Sequence, residues 1–229
     1  MLYRYKGYKS ITFVQLLESI LTNNNRSIKK FNNICNSIIV LDEVQAIPHK
    51  YWLLIKRVFR EIADQFNCYF IFVTATMPLI FNEEKGEIKE LATDKVEYFM
   101  ICDRIELDLS NYREEIDLDI FKKIIEADLK TEYPEKSFLF ILNTIKSSIE
   151  IYNFIKHDLE YKNVIYLSKN LVTKELTKRI EKIKNADEPL IVVSTQLVEA
   201  GVDIDFDRVY RDFAPLDSIN QSCGRCNVW

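Results

Sequence analysis

Two adjacent carboxylates, Asp42 and Glu43, directly follow the apolar run from Ile38 to Leu41. An apolar run of this kind predicts a buried strand of a parallel sheet. The carboxylates would then lie at the carboxyl end of the strand, the edge of an open α/β sheet where ligands bind. One could hold Mg²⁺, which prefers oxygen ligands, and the other could deprotonate an attacking water. A helix-capping Asp at a strand end explains the pair about as well, so the residues that follow must decide.

The chain then repeats the pattern with hydroxyl groups at the end of a second strand. Pro48 suits a helix start, and apolar residues at helical spacing follow over 52–62. A second strand pattern at 68–73 ends in Thr74 and Thr76. Strand, helix and strand in this order predict a βαβ unit, whose right-handed crossover brings the two strand ends side by side. We therefore expect the two threonine hydroxyls to lie near the two carboxylates.

Length and composition limit the class of protein. A chain of 229 residues has room for one large or two small domains, and 48% hydrophobic and 29% charged residues are typical of a globular protein. No apolar run reaches membrane-spanning length, and the first residues lack the apolar core of a signal peptide, so a cytoplasmic location is expected. The net charge of −4 gives no electrostatic reason to expect nucleic-acid binding.

Strand and helix patterns divide the chain into two α/β lobes, with domains predicted at 1–105 and 106–229. The charged stretch 103–119 is the predicted linker between them. In the first lobe we expect a helix at 10–21 and a third strand at 96–101. In the second, strands alternate with helices, which implies a parallel sheet. Its strands are predicted at 137–142, 163–167, 190–194 and 207–212, and its helices at 145–158, 172–184 and 215–223.

Four segments resemble, in order along the chain, the motifs of superfamily 2 helicases. Asp42 to Gln45 looks like motif II, Thr74 to Thr76 like motif III, 193–205 like motif V and 221–227 like motif VI. Within that superfamily, segments 12–19, 36–45 and 224–227 resemble the CRISPR-associated helicase–nuclease of type I interference systems. Four motifs in the right order, over nearly the whole chain, are far more specific than any one motif.

The resemblance implies an α/β fold of two RecA-like lobes with parallel sheets, the first incomplete because its phosphate-loop part is missing. It implies an ATP-dependent translocase or helicase of CRISPR antiviral interference. Such a protein acts on single-stranded DNA exposed by a guide-RNA surveillance complex, with ATP and Mg²⁺ as cofactors. The upstream helicase segment and the nuclease domain of the family are further expected partners, and no membrane is expected.

The family's functional residues carry over to the matching positions of this sequence. The implied catalytic residues are Asp42, which would hold Mg²⁺ through water, Glu43 as the base, and Arg225, which would offset transition-state charge on the γ-phosphate. Gln221 and Arg225 are expected one helical turn apart on one face. Residues implied in ATP binding or coupling are Thr74, Thr76, Glu199, Gly201, Asp203 and Gln221. Residues implied in nucleic-acid binding are Gln15, Asn143, Thr144 and Thr195.

Some of these residues have simpler structural explanations. Asn143 or Thr144 could merely cap the following helix, although a helix N-terminus is itself a phosphate site, so the two explanations are compatible. For Thr195 the surrounding motif favours a functional role, whereas for Ser168, at another strand end, turn chemistry is favoured. The spacing of Cys223 and Cys226 suits redox chemistry or zinc, but the sequence has no second such pair to complete a zinc site.

The sequence also departs from the family. It contains no Gly-Lys-Ser or Gly-Lys-Thr, so the phosphate-binding loop, which the family carries upstream, is absent from these residues. Val228 stands where a second arginine is usual. The two histidines, His49 and His157, cannot build the family's nuclease site. A fragment, a split gene product and a frameshift before Val228 all stay open. Two functions follow: a motor fragment with motifs II to VI, or a non-catalytic remnant or binding module without ATPase activity of its own.

Overall fold

The computed structural model describes residues 11–21, 31–74, 80–94, 97, 100, 105–109, 115–199 and 202–226. The chain divides into two compact units, Met1–Thr93 and Asp94–Trp229. The predicted boundary at 105/106 lies further along the chain and stays a prediction. Each unit contains a parallel sheet and helices, which confirms the α/β class.

The first unit contains a two-stranded parallel sheet, with the two strands joined through a helix. Its elements are α1 (Phe13–Leu21), β1 (Ile38–Asp42), α2 (Trp52–Phe66) and β2 (Tyr69–Val73). The pairing of Ile38 with Tyr69 and of Asp42 with Val73 puts the two carboxyl ends level. The predicted βαβ unit is therefore confirmed.

Only one face of this small sheet is packed. The ring of Phe59 on α2 stacks on Phe70 of β2, with 4.4 Å between centroids. Leu41 points to the same side and is buried. On the opposite face Ile38 is 66% exposed and Tyr69 also 66%. Parallel sheets are usually covered on both faces, so within the described residues this sheet lacks half of its usual packing.

The second unit contains a four-stranded parallel sheet in the order β4-β5-β3-β6. Its strands are β3 (Phe138–Leu142), β4 (Val164–Leu167), β5 (Ile191–Thr195) and β6 (Arg208–Arg211). Its helices are α3 (Leu118–Glu132), α4 (Ile145–Asn153), α5 (Thr173–Lys184) and α6 (Leu216–Cys223).

The central strand β3 is buried on both faces, because its apolar side chains alternate between two clusters. Phe138 and Phe140 pack with Ile125 and Leu129 of α3 on one face. Leu139 and Ile141 pack on the other face with residues of α5 and of the segment after β5. All five residues of β3 and all five of β5 are buried, as is usual for the inner strands of a parallel sheet.

Helix α3 was not predicted, because its first residues lie within the charged stretch taken as a linker. It begins after Asp117, whose Oδ1 accepts a hydrogen bond from Ile120 N at 2.8 Å. An N-cap acid followed by buried apolar residues at helical spacing, Ile125 and Leu129, was the available signal. The helix predicted at 145–158 continues past α4 as a π-helical turn, Phe154–Asp158.

The strand predicted at 96–101 lies mostly outside the described residues. Its two described members, Glu97 and Met100, are helical, and Glu97 N donates to Asp94 O at 3.0 Å, so the prediction is wrong at these positions. An apolar run this short cannot distinguish a strand from a helical turn. Within the described residues, no helix is long and apolar enough to cross a membrane.

The two sheets should differ in hydrogen-exchange protection. We expect weak protection of the β2 amides and strong protection of the β3 and β5 amides. Among the described residues β2 has one strand partner and one covered face, whereas β3 has two strand partners and two covered faces. Hydrogen–deuterium exchange with mass spectrometry on a verified monomer would measure this. Equal, strong protection of β2 and β3 would contradict it.

A cluster around Glu87 ties the loop 80–91 to α2. The Glu87 carboxylate accepts from Lys56 Nζ at 2.5 Å, from Asn82 N at 2.9 Å and from Arg60 Nη2 at 3.1 Å. The hydrogen bond from Lys56, followed by that from the Asn82 amide, lowers the pKa of Glu87 from 4.5 to about 2. The charged carboxylate is therefore part of the folded state of the first unit.

This cluster predicts an acid-dependent loss of stability. Because folding lowers the pKa of Glu87, its stabilising effect is complete above pH 4.5 and is lost as the pH falls towards 2. Thermal unfolding followed by circular dichroism should give Glu87→Gln a lower Tm than the parent at neutral pH, with the difference shrinking between pH 4.5 and 2. Glu84→Gln, an exposed acid of the same loop, is the matched control. A Tm difference that stays constant down to pH 2 would refute the assignment.

Candidate nucleotide and nucleic-acid sites

The acidic pair of the first unit lies in a turn at the carboxyl end of β1. Asp42 is the last residue of the strand, and its Oδ1 accepts from Glu43 N at 3.0 Å. Glu43 has left-handed backbone, φ 54°, which costs a non-glycine residue about 1–3 kcal/mol and is often found at functional sites. Both side chains are exposed. Buried Val44 and Ile47 anchor the turn that follows and so fix the direction of the pair.

A chain of hydrogen bonds links this turn to the end of β2. Thr74 Oγ1 donates to Gln45 Oε1, and Gln45 Nε2 donates to Glu43 Oε2. The Thr74 hydroxyl is therefore connected to the acidic pair through Gln45. Gln45 was not among the predicted site residues. Its place in the Asp-Glu-Val-Gln motif was the available signal. The second hydroxyl, Thr76, lies outside the described residues.

Asn143 connects the carboxyl ends of three strands in the second unit. Its backbone N donates to Asp212 Oδ2 at 3.1 Å, and its Nδ2 donates to Phe213 O at 2.6 Å. Its Oδ1 accepts from Arg211 Nη1 at 2.7 Å and from Gln196 Nε2 at 3.4 Å. Because both ends of the amide are engaged, its orientation is fixed. Its predicted contact with nucleic acid stays a prediction.

The hydroxyl residues near Asn143 cap a helix, end a strand or stabilise a turn. Thr144 caps α4, because its Oγ1 accepts from Ser147 N at 3.0 Å, so the helix N-terminus lies at the sheet edge. Thr195 ends β5 and is 8% exposed. Ser168 accepts from Asn170 N at 3.3 Å, in the turn chemistry favoured for it. Gln15 is exposed on α1, in the first unit.

Arg211 and Glu199 form a buried ion pair at this edge. Arg211 Nη2 lies 2.8 Å from Glu199 Oε1, and the two side chains are only 6% and 8% exposed. The N–H does not point along that line, so the contact is an ion pair without an aligned hydrogen bond. Arg211 Nε is also buried and finds no acceptor among the described atoms. Charged residues are mostly exposed, and nothing in the sequence marks Arg211 as the partner of Glu199, so the pair was not predicted.

Arg225 is held against the segment that follows β5. Its Nε donates to Val198 O at 3.0 Å and its Nη2 to Glu199 O at 3.1 Å. The expectation that Arg225 shares a helix face with Gln221 is wrong, because α6 ends at Cys223 and Arg225 lies in the turn beyond it. The turn keeps Arg225 N bonded to Ser222 O at 3.0 Å.

The other predicted coupling residues differ in their surroundings. Asp203 is exposed and lies 3.6 Å from Lys184 Nζ. Gln221 is half-buried on α6, and Gly201 lies outside the described residues. The cysteines of the Cys-x-x-Cys pair are partly buried, and burial raises the pKa of both the Cys223 and the Cys226 thiols. Within the described residues, no group of three acidic, histidine or cysteine side chains could hold a metal.

The sequence of this chain is similar to known CRISPR-associated proteins. A family model described as the C-terminal part of the CRISPR-associated nuclease/helicase Cas3 matches residues 134–227. The Cas3 of Haloferax volcanii is 24% identical over 94% of this chain. That of Methanothermobacter thermautotrophicus is 27% identical over 82% of it. The resemblance to Cas3 is confirmed. The chain spans 32% and 23% of the length of these two Cas3 relatives.

Solved structures similar to this chain include Cas3 and Dbp5. The crystal structure of T. fusca Cas3 gives a TM-score of 0.69 at 14% identity, over 94% of this chain and 30% of that one. That Cas3 has also been solved with ATP, AMPPNP and ADP. S. cerevisiae Dbp5 bound to RNA and ADP BeF3 gives 0.51 at 17% identity, over 84% of this chain and 50% of that one. At these identities the likeness establishes the RecA-like helicase fold.

A further Cas3 neighbour belongs to an assembly. A chain of a CRISPR RNA-guided surveillance complex, in a pre-nicking state, matches with a TM-score of 0.64 at 14% identity. The match covers 92% of this chain and 31% of that one. The Cas3 likeness thus extends over both units.

The buried ion pair predicts a strong, non-additive effect on stability. Arg211→Met should lower the free energy of unfolding by about 3–5 kcal/mol, because it leaves the Glu199 carboxylate buried without its partner charge. The double variant Glu199→Gln/Arg211→Met should lose clearly less than the sum of the two single losses. Urea unfolding followed by circular dichroism would measure all three variants.

The exposed pair of Lys184 and Asp203 supplies the control for that measurement. Lys184→Met should cost less than about 1 kcal/mol, as is usual for pairs in water. If the losses of Glu199→Gln and Arg211→Met simply add up in the double variant, the two side chains do not interact energetically and the assignment fails.

Proposed function

We propose that this chain supplies motifs II to VI of an ATP-dependent translocase that moves along single-stranded DNA in CRISPR interference. The main support is the hydrogen-bonded chain from Thr74 through Gln45 to Glu43, beside Asp42 at the ends of β1 and β2. It joins motif II to motif III, as expected of a site that senses the nucleotide. The Cas3 likeness, including Cas3 structures solved with ATP, supports the same proposal.

The residues at the end of β1 fit a magnesium–nucleotide complex. Mg²⁺ in such complexes is held by one or two carboxylates together with phosphates and several waters. Asp42 offers an exposed carboxylate and would hold the ion through water, which would neutralise charge on the phosphates. Glu43 would accept the proton of the water that attacks the γ-phosphorus, while the bond from that phosphorus to the β–γ bridging oxygen breaks. Thr74 and Thr76 would couple this change in the nucleotide to the conformation of the first unit.

The second unit would bind nucleic acid and respond to the nucleotide. Asn143, Thr144 and Thr195, at the ends of β3 and β5, together with Gln15 of the first unit, would contact the DNA backbone. Such contacts position a protein without reading sequence. Arg225 would offset charge on the γ-phosphate, and Glu199, Gly201, Asp203 and Gln221 would couple that event to the grip on DNA.

The partners proposed for this activity are single-stranded DNA and a guide-RNA surveillance complex. The solved Cas3 neighbour in such a complex supports the second of these. An upstream helicase segment with a phosphate-binding loop and a nuclease domain would complete the enzyme.

A binding module without ATPase activity of its own is the second candidate. The absence of any Gly-Lys-Ser or Gly-Lys-Thr from the 229 residues favours it for this chain alone. Backbone donors and the lysine of that loop normally hold the β- and γ-phosphates. Val228, in place of the usual arginine, favours the same candidate.

ATP hydrolysis separates the two candidates. The chain alone should show negligible ATPase activity, with or without single-stranded DNA. Joining it to the upstream helicase segment of a Cas3 relative, with Val228→Arg, should give DNA-stimulated hydrolysis. In that protein Glu43→Gln should lower kcat by roughly 10²–10⁴-fold, the usual contribution of a general base, while nucleotide binding is retained. A coupled phosphate-release assay and nucleotide titration would measure both quantities.

Glu61→Gln, an exposed acid on α2, is the matched control and should hydrolyse ATP at the parent rate. If the joined protein binds single-stranded DNA but does not hydrolyse ATP, the binding-module candidate is correct. If Glu43→Gln hydrolyses at the parent rate, Glu43 is not the base.

A further inference from the structure

Phe213 is a large apolar residue that the fold leaves in water. It lies two residues beyond the end of β6, and its side chain is 81% exposed. Burying a phenylalanine is worth about 1.5–3 kcal/mol, so the fold gains little from this ring. Single exposed apolar residues are common on protein surfaces, and exposure alone would not point to a function. The surroundings of Phe213 distinguish it from such residues.

The backbone that carries the ring is fixed on both sides. Asn143 Nδ2 donates to Phe213 O at 2.6 Å, and Arg211 Nη1 donates to the carbonyl of the preceding residue, Asp212, at 2.7 Å. On the other side Ala214 is 9% exposed and Pro215 begins the turn into α6. Because these hydrogen bonds already hold the backbone, little backbone conformational freedom is left to lose when a ligand covers the ring.

Groups suited to a nucleic-acid backbone lie at the same sheet edge. Asn143, which holds Phe213, precedes the Thr144 cap of the nine-residue helix α4, and a helix N-terminus attracts phosphate. Exposed Lys146 adds a positive charge to the first turn of that helix.

Arg211 adds a buried guanidinium group, paired with Glu199, to this edge. Its side chain is 6% exposed, contacts Asn143 and has a buried Nε without an acceptor among the described atoms. An aromatic platform beside donors for phosphate is the arrangement with which proteins hold single strands.

We propose that Phe213 is a stacking platform for one base of single-stranded DNA bound at the carboxyl edge of the β3–β5–β6 sheet. The Asn143 and Arg211 side chains act as positioning residues, because they hold the backbone that presents the ring. The inference rests on the proposed function and adds a base contact to the contacts with the DNA backbone proposed above. Stacking on a phenylalanine face requires no particular base, so the contact gives grip without sequence preference.

Two oligonucleotides of equal length separate stacking from phosphate binding. One is oligothymidylate, and the other carries abasic sugars along the same phosphate backbone. Fluorescence anisotropy with the whole chain, at one fixed salt concentration, would give Kd for both. Phe213→Ala should weaken binding of oligothymidylate by roughly 5- to 150-fold, the range for loss of one stacked base, and leave the Kd for abasic DNA unchanged. Phe213→Tyr should restore the parent Kd.

Leu216→Ala is the matched control, because Leu216 is also apolar, 71% exposed and close in sequence, but not aromatic. It should bind both oligonucleotides like the parent. If the parent binds single-stranded DNA and Phe213→Ala binds oligothymidylate equally well, the stacking inference is wrong and the proposed function stands. An equal loss of affinity for both oligonucleotides would also overturn the stacking inference, since Phe213 would then affect binding of the phosphate backbone and not of a base. If the parent binds neither, the proposed function fails and the inference fails with it.

Discussion

Parallel pairing of β3 with β5 and β6 is the constraint on which the second unit depends. It brings three carboxyl ends to one edge, where Asn143 and Asp212 follow their strands and Thr195 ends β5. Strong side-chain hydrogen bonds are possible there only because the register is fixed by ten buried residues of β3 and β5. A slip of one residue would exchange the side chains of β3 between the two cores, putting phenylalanine rings where Leu139 and Ile141 pack, so the packing that stabilises the sheet also fixes the site.

Burial of the Glu199–Arg211 pair costs free energy, which is unusual for a feature with a purely structural role. Removing two charges from water carries a free-energy penalty that their attraction only partly offsets. Two apolar residues at the same positions often stabilise a fold to the same extent. The cost is higher here, because the pair lacks an aligned hydrogen bond and Arg211 Nε has no acceptor among the described atoms. An arrangement this expensive is more readily understood as part of a working site, where unsatisfied buried donors concentrate, than as a source of stability.

The sequence alone predicted the local structure correctly where one physical effect dominates. Phe138 to Leu142 is wholly apolar, which predicts a strand buried on both faces, and the structure has one. Asp42 and Thr74 were expected at neighbouring strand ends, because parallel strands joined by a helix allow little else. Helix α3 was missed because charge along 103–119 hid a regular apolar spacing that starts within it.

Three features depend on tertiary contacts that no pattern in the sequence specifies. The left-handed backbone of Glu43 depends on the anchored turn behind it, which Val44 and Ile47 hold in place. The orientation of the Asn143 amide depends on three partners distant in sequence, Gln196, Arg211 and Phe213. The burial of Arg211 depends on Glu199, and charged residues at strand ends are exposed in most proteins.

The hydrogen bonds of Arg225 limit how nucleotide and DNA could be coupled in the proposed function. Its Nε and Nη2 donate to the carbonyls of Val198 and Glu199, so it would have to meet a phosphate through Nη1 and the second N–H of Nη2, or release those carbonyls. Either change acts on the segment that carries the Glu199 carboxylate. That carboxylate pairs with Arg211, and Arg211 in turn holds Asn143. A displacement of Arg225 by nucleotide would therefore reach the edge proposed to grip DNA through three successive polar contacts, with no need for the sheet itself to move.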